Sequence, residues 1–229
     1  MVQERFKFFE VLGVFVLCNL FNIILYILFL LTKILGGESL SLFLFNQSFF
    51  VLVGSVWYIF KDVQNKNEFL KSILSRLKLF EFKIILKYVL YILLTTVFVS
   101  ALVFVIGRLF NFEFFESKNI KELKYGWDVF LYVVTYLSLG PLAEEIFFRV
   151  LLFGSLRNRF NLSYSIVITS LFFGILHISG IGHFIFAFIS SCFLSYMYEK
   201  HKNIFMNVLT HSLINISAIL YIVIGGVNP

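Results

Sequence analysis

The chain has 229 residues, of which 60% are hydrophobic, 20% aromatic and 14% charged, against about 45–50% apolar and about 25% charged in a soluble domain. Thirty-two Phe residues cannot be hidden inside one water-exposed globule of this size, because its surface needs more polar side chains than the sequence supplies. Lipid is therefore the solvent for most of the chain, and the net charge of +6 does not indicate a nucleic-acid partner. The 19 Lys and Arg sit in short segments between apolar runs, which is how a membrane protein orients itself.

A crossing of the hydrocarbon core needs about 20 apolar residues. The first candidate, residues 11–31, holds no charged residue and follows Arg5 and Lys7. It is too long for a signal h-region and runs into Thr32, Lys33, Ile34 and Leu35 with no small residues for cleavage, so it reads as a span. Further apolar runs cover residues 42–60, 84–107, 127–156, 163–178, 181–198 and 204–224. The fold class predicted is all-α: a polytopic transmembrane helix bundle of about seven spans, with room for broken or kinked members.

Between the second and third runs, residues 67–81 place Phe69, Leu70, Ile73, Leu74, Leu77 and Phe80 on one helical face, with Lys71, Ser75, Arg76 and Lys78 elsewhere. This predicts a helix lying in the cytoplasmic interface. With the N-terminus in the cytoplasm, thirteen Lys and Arg fall in inside segments and five in outside ones, the bias expected of that orientation. There is no repeat of 20 to 50 residues and no low-complexity tract. Residues 1–126 read as N-terminal spans with the basic interfacial helix, and residues 127–229 as motif-bearing catalytic helices, within one membrane domain. Cys18 and Cys192 lie far apart in apolar stretches and form no CxxC, so neither a disulfide framework nor a thiolate metal cluster is on offer.

The charges lying deep in any run are Glu144, Glu145 and Arg149, in the sequence Leu139-Gly140-Pro141-Leu142-Ala143-Glu144-Glu145-Ile146-Phe147-Phe148-Arg149. Each costs about 2.5–3.5 kcal/mol at mid-membrane, so each needs a reason. Pro141 either opens a helix or kinks a longer one. Glu145 and Arg149 are four apart with the acid first, the better orientation for an ion pair. Two acids against one base leave a negative charge over, and Glu144 must then take up a proton, a metal or a cation such as imidazolium. A buried ion-pair cluster that merely holds helices together explains this triad about as well as a reactive site does.

Two later runs shift that balance. Residues Phe173 to His177 read FGILH, and His211 and Asn215 are four apart on one face of the last run. Taken singly, each histidine is most simply a packing residue hydrogen-bonded to a neighbouring helix. Depth links them: at about 1.5 Å per residue, Glu144, His177 and His211 lie roughly 20, 21 and 14 Å from the cytoplasmic ends of their helices. A carboxylate, two imidazoles and an amide at one level suit peptide-bond hydrolysis. The carboxylate takes a proton from water, an imidazole or a metal orients that water, and His with Asn stabilises the oxyanion. Small residues at Ser138, Gly140, Gly154, Ser155, Gly174, Ser190 and Ser191 permit either close helix contact or a wet cavity. His183, at the start of the sixth run, and His201, in a basic loop, are explained by loop or interface placement. GxSxG, HExxH and phosphate-binding glycine loops are absent from the sequence.

With its EExxxR, FxxxH and HxxxN in that order on separate apolar segments, the sequence resembles the CPBP family (CAAX proteases and bacteriocin-processing proteins, also called Abi) of intramembrane endopeptidases. The resemblance covers roughly residues 129–222, under half the chain. It implies Glu144, His177, His211 and Asn215 as catalytic residues. Glu144 would activate water, His177 would position it, and His211 with Asn215 would polarise the scissile carbonyl, while Glu145 and Arg149 hold the site together. It leaves two mechanisms open, a zinc ion held by Glu144, His177 and His211 or a metal-free glutamate route. Val150 departs from the pattern, since many members place Gly after the Arg, which concerns helix packing more than chemistry.

The expected partners are the lipid bilayer and a membrane-associated peptide or protein substrate, with no nucleic acid. The expected location is the bacterial plasma membrane, multi-pass, and neither substrate identity nor oligomeric state can be read. Two other functions share the same residues: a bacteriocin self-immunity or scaffold protein that needs no proteolysis, and a transporter with an intramembrane proton relay. The transporter is disfavoured by the small chain and the lack of a visible inverted repeat.

Overall fold

The computed structural model describes residues 6–32, 40–62, 67, 71, 75, 81–110, 127–177 and 180–224. Seven helices hold nearly all of them: α1 (Phe8–Thr32), α2 (Leu40–Asp62), α3 (Phe82–Phe110), α4 (residues 127–157), α5 (Leu162–Leu176), α6 (Ile181–His201) and α7 (Ile204–Ile224). Each apolar run of the sequence is thus a helix, and the fold is an all-α membrane helix bundle. Among the described residues, Phe8–Leu25, Phe82–Val103, Val129–Arg157 and Ile181–His201 are long and apolar enough to cross a membrane. Leu162–Leu176 and Ile204–Leu220 are apolar but shorter. At about 1.5 Å per residue α5 measures roughly 22 Å, short of a hydrocarbon core about 30 Å thick. The fifth run is therefore a shorter apolar helix, with His177 at its C-cap.

Of the expected interfacial helix, Asn67, Lys71 and Ser75 are helical and exposed, spaced as one polar face. Its apolar face lies outside the described residues.

The helices group into two compact units that do not follow chain order. One comprises Met1–Lys78 and Glu122–Arg159, the other Leu79–Lys121 and Phe160–Pro229. The first unit therefore holds α1, α2 and α4. Gly54 of α2 lies directly against Cys18 Sγ of α1, so Cys18 is a packing residue as its surroundings in the sequence suggest. Gln47 Nε2 donates to Asn19 Oδ1 at 3.0 Å and Tyr58 Oη to Glu10 Oε2 at 3.0 Å, polar fastenings between helices that lipid cannot replace. Phe15 stacks on Phe147 at 4.6 Å, tying α1 to α4. The second unit holds α3, α5, α6 and α7. Ile85, Tyr88, Met197 and Met206 form one buried cluster, and Ile92, Leu194 and Ile214 another. Asn207 Nδ2 of α7 donates to Leu194 O of α6 at 2.8 Å. Outward faces keep large apolar side chains fully in view, Phe9, Leu17, Val97 and Phe98 among them, as a hydrocarbon solvent requires.

α4 changes its winding along its length. Trp127–Val134 is α-helical, Thr135–Leu139 π-helical, Gly140–Glu145 α-helical, Ile146–Phe153 π-helical and Gly154–Arg157 α-helical. Pro141 neither opens this helix nor breaks it, since the backbone at Leu139 and Gly140 stays right-handed helical. The wider turn before it explains why. Gly140 N–H donates five residues back to Thr135 O, and a π turn gives room where a proline ring would strike the preceding carbonyls of a regular helix. A Cβ on Gly140 would lie 2.8 Å from that same Thr135 carbonyl oxygen, a backbone atom that cannot move aside cheaply.

Gly140→Ala is accordingly expected to cost about 1–3 kcal/mol, lowering the unfolding temperature of the detergent-solubilised protein by several degrees. Gly13→Ala, where nothing lies within 4 Å of the added Cβ, serves as the matched control and is expected to be neutral or slightly stabilising. Equal melting of the two variants would contradict this account of α4.

Candidate functional site

The candidate residues are divided between the two units, and each group is built by its own helices. In the first unit, α4 carries Glu144, Glu145 and Arg149. Glu145 and Arg149 are both 0% exposed, with Arg149 Nη2 donating to Glu145 Oε1 at 3.2 Å. Arg149 Nε lies 2.9 Å from Oε2 without the alignment of a hydrogen bond, so that arm is Coulombic. The guanidinium also sits over the Phe148 ring, 5.9 Å from its centroid. Two opposite charges can remain in such a place only as a pair with good geometry, and the four-residue spacing seen in the sequence provides it. Glu145 is thereby committed to structure.

Glu144, one residue earlier and about 100° round the helix, is half-buried rather than sealed. It is the carboxylate of the pair that retains access. Tyr136, stacked on Tyr132 at 5.5 Å, lies within electrostatic reach of Glu144. Sequence reading missed this tyrosine, because the π-helical stretch that sets its direction has no simple sequence signature.

In the second unit, α5 ends at the imidazole. Phe173 is buried, and the His177 ring stacks on it at 4.2 Å and 22°. His177 Nδ1 is 2.8 Å from Phe173 O. A carbonyl oxygen only accepts, so Nδ1 carries a proton. The His211 ring of α7 meets the same Phe173 edge-on at 5.8 Å. The phenylalanine of FxxxH thus fixes the plane of one histidine and braces a second. His211 and Asn215 are both buried, as a shared helix face predicts. α5 and α6 approach closely here, since a Cβ on Gly174 would lie 2.9 Å from Phe184.

Most of the small residues singled out in the sequence prove to be packing positions. Ser155, buried, donates its Oγ to Leu152 O at 2.7 Å, and Ser190 and Ser191 are buried, whereas Ser138 is exposed and donates to Val134 O of its own helix at 2.6 Å. His201 ends α6 against Tyr88, with ring centroids 6.1 Å apart, a structural placement. His183 is different. Its ring stands perpendicular to that of His177 at 6.0 Å, which loop placement alone does not explain. Two histidines flanking the glycine-rich stretch Ser179 to Gly182 were the available signal.

Within neither unit do three His, Cys, Asp or Glu side chains form a ready-made metal cluster among the described residues. Imidazole and carboxylate are donor types that a zinc-type ion takes. A metal-bound imidazole characteristically gives its other N–H to a carbonyl or carboxylate, as His177 does to Phe173 O.

Residues 126–217 match the family described as type II CAAX prenyl endopeptidase Rce1-like, a segment that contains all three motifs. The match is consistent with the resemblance to the CPBP family for this segment, and the apolar helices make the chain a multi-pass membrane protein. A curated relative, "Putative membrane peptidase YdiL" of Bacillus subtilis (strain 168), is 29% identical over 128 residues, 56% of this chain and 48% of that protein. The aligned part thus spans about half the length of the relative. No solved structure matches the chain.

Removing one member of the sealed pair leaves the other charge buried alone. Arg149→Met is expected to destabilise the folded protein by about 3–5 kcal/mol, whereas Glu145→Leu together with Arg149→Met recovers most of that loss. Unfolding in detergent across the three variants measures it, and a double variant no better than the single one would show that the pair is not the unit of stability.

Proposed function

We propose that this chain is an intramembrane endopeptidase that hydrolyses a peptide bond of a membrane-associated peptide or protein. The observation that carries the reading is the arrangement around Phe173, which holds His177 in one tautomer and braces His211 within the segment matched to the Rce1-like family. In this reading Glu144 takes the proton from the attacking water and returns it to the leaving amine. His177 orients that water through Nε2. His211 and Asn215 donate to the oxygen on which negative charge develops, and the Glu145–Arg149 pair anchors α4 so that Glu144 keeps its direction.

The same residues are compatible with a zinc ion, for which Glu144, His177 and His211 are the proposed ligands; such an ion supplies Lewis-acid polarisation of the carbonyl and a more acidic water. A membrane site favours either route because charge stabilisation is stronger where bulk water is excluded. We place the protein in the plasma membrane with its N-terminus in the cytoplasm, on the distribution of Lys and Arg.

The test separates chemistry from folding. Glu144→Gln and His177→Ala, reconstituted in liposomes with a quenched fluorescent membrane peptide, are expected to melt near the parent temperature while cleavage falls by about 10²–10⁴-fold. Cleavage at the parental rate by either correctly inserted variant would refute the assignment.

A further inference from the structure

Within the second unit, the start of α3 (Phe82–Phe110) and the end of α6 (Ile181–His201) meet in a group of basic and aromatic side chains. Contacts fix the antiparallel register of the two helices. Ile85 and Met197 share one buried cluster and Ile92 and Leu194 another, the Tyr91 and Phe193 rings lie 6.4 Å apart, and Tyr88 meets His201 at 6.1 Å. Eight residues towards the shared end, Tyr91 leads to Lys83 and Phe193 to His201, so Lys83 stands level with Lys200, about 12 Å beyond the Tyr91–Phe193 contact. Lys83, Lys87, Tyr91, Leu94 and Phe98 follow helical spacing along one face of α3, and all five are exposed. Lys87 Nζ sits 5.5 Å from the Tyr91 ring centroid, and Lys200 is exposed on α6. Glu199 is paired with Lys202 at 2.6 Å, and Lys200 and Glu81 both act electrostatically on His201. Lys83, Lys87 and Lys200 thus outnumber Glu81 among the described residues at this end of the unit.

We propose that this end of the second unit binds an anionic glycerophospholipid, with Lys83, Lys87 and Lys200 around its phosphate, Tyr91 level with its glycerol esters, and Leu94 and Phe98 along an acyl chain. Snorkelling accounts for any one lysine at the end of a membrane helix. It does not account for the order of the whole stripe. From the helix end inward, α3 presents basic, then aromatic, then apolar side chains, the same order as the head group, interface and hydrocarbon of one lipid leaflet. Lys200 comes from a second helix, and basic clusters between membrane helices are where anionic head groups are held. Tyr91 serves both layers, since its ring carries the Lys87 cation on one side and meets Phe193 on the other. A free phosphate would use the lysines alone, whereas a lipid uses the full stripe. The inference uses none of the proposed catalytic residues and needs neither peptidase activity nor a metal.

The full-length chain in a neutral detergent is titrated with phosphatidylglycerol, and with phosphatidylcholine as the uncharged-headgroup control, and bound lipids are counted by native mass spectrometry. The parent is expected to hold phosphatidylglycerol more tightly than phosphatidylcholine, with a preference that shrinks as salt rises. At roughly 5-fold per lysine, Lys83→Gln, Lys87→Gln and Lys200→Gln together are expected to weaken phosphatidylglycerol binding by about 100-fold, and the three corresponding Lys→Arg changes to keep it. Removing three cations of the first unit instead, by Lys7→Gln, Lys61→Gln and Arg159→Gln, is expected to leave this binding intact. Tyr91→Trp reports position. Its added emission, beyond that of Trp57 and Trp127 in the parent, is expected to be quenched more by phosphatidylglycerol with brominated acyl chains than by brominated phosphatidylcholine. Inorganic phosphate and glycerol phosphate, at concentrations matched to the lipid, are expected not to displace it. Equal binding of the two lipids, equal loss in the two sets of Gln variants, unselective quenching in Tyr91→Trp, or displacement by phosphate alone would each overturn the proposal.

Discussion

A carboxylate and a guanidinium sealed together inside hydrocarbon set the terms for α4. Glu145 and Arg149 have no exposure at all, and neither charge can be moved to water without unwinding the helix that carries both. The pair holds that helix at one depth and one rotation. Its neighbour Glu144 lies about 100° further round the same helix. One acid is held in the sealed ion pair, and the other is half-buried.

The winding of α4 serves the same end. Two π-helical stretches flank the Gly140–Glu145 turn, and wider turns of this kind redirect side chains that a uniform α-helix would place elsewhere. Gly140 admits the first stretch because only a residue without Cβ can sit so close to the Thr135 carbonyl. Pro141 then follows without breaking the rod. The GP pair in the sequence signals an irregularity, and both readings of it, a helix start or a kink, are natural from sequence alone. The π turn that reconciles a proline with an unbroken helix depends on backbone hydrogen bonds that no residue pattern specifies.

The helices that carry the imidazoles show the same mixture. FxxxH and HxxxN are visible as polar anomalies in apolar runs, and helical spacing alone puts His211 and Asn215 on one face, where both are buried. The part played by Phe173 is less visible. Phenylalanine is so common in this chain that one more carries no signal, yet this one touches both His177 and His211. His183 was hidden for a related reason. Six residues separate it from His177, a spacing with no meaning within a single helix, and only the reversal between α5 and α6 brings the rings together.

Composition and apolar run length decided by themselves that this is an all-α membrane protein, because a lipid solvent demands long apolar segments whose backbone groups are satisfied within each helix. Local spacing likewise decided the Glu145–Arg149 pair, since residues four apart on a helix are neighbours wherever the helix goes. Tertiary structure decided the rest: that α5 ends after 15 residues, that α1 and α2 pack with α4, and which histidines meet. Those outcomes depend on contacts between helices, and lipid-facing and helix-facing apolar residues look alike in a sequence because hydrocarbon and a neighbouring leucine are nearly the same solvent.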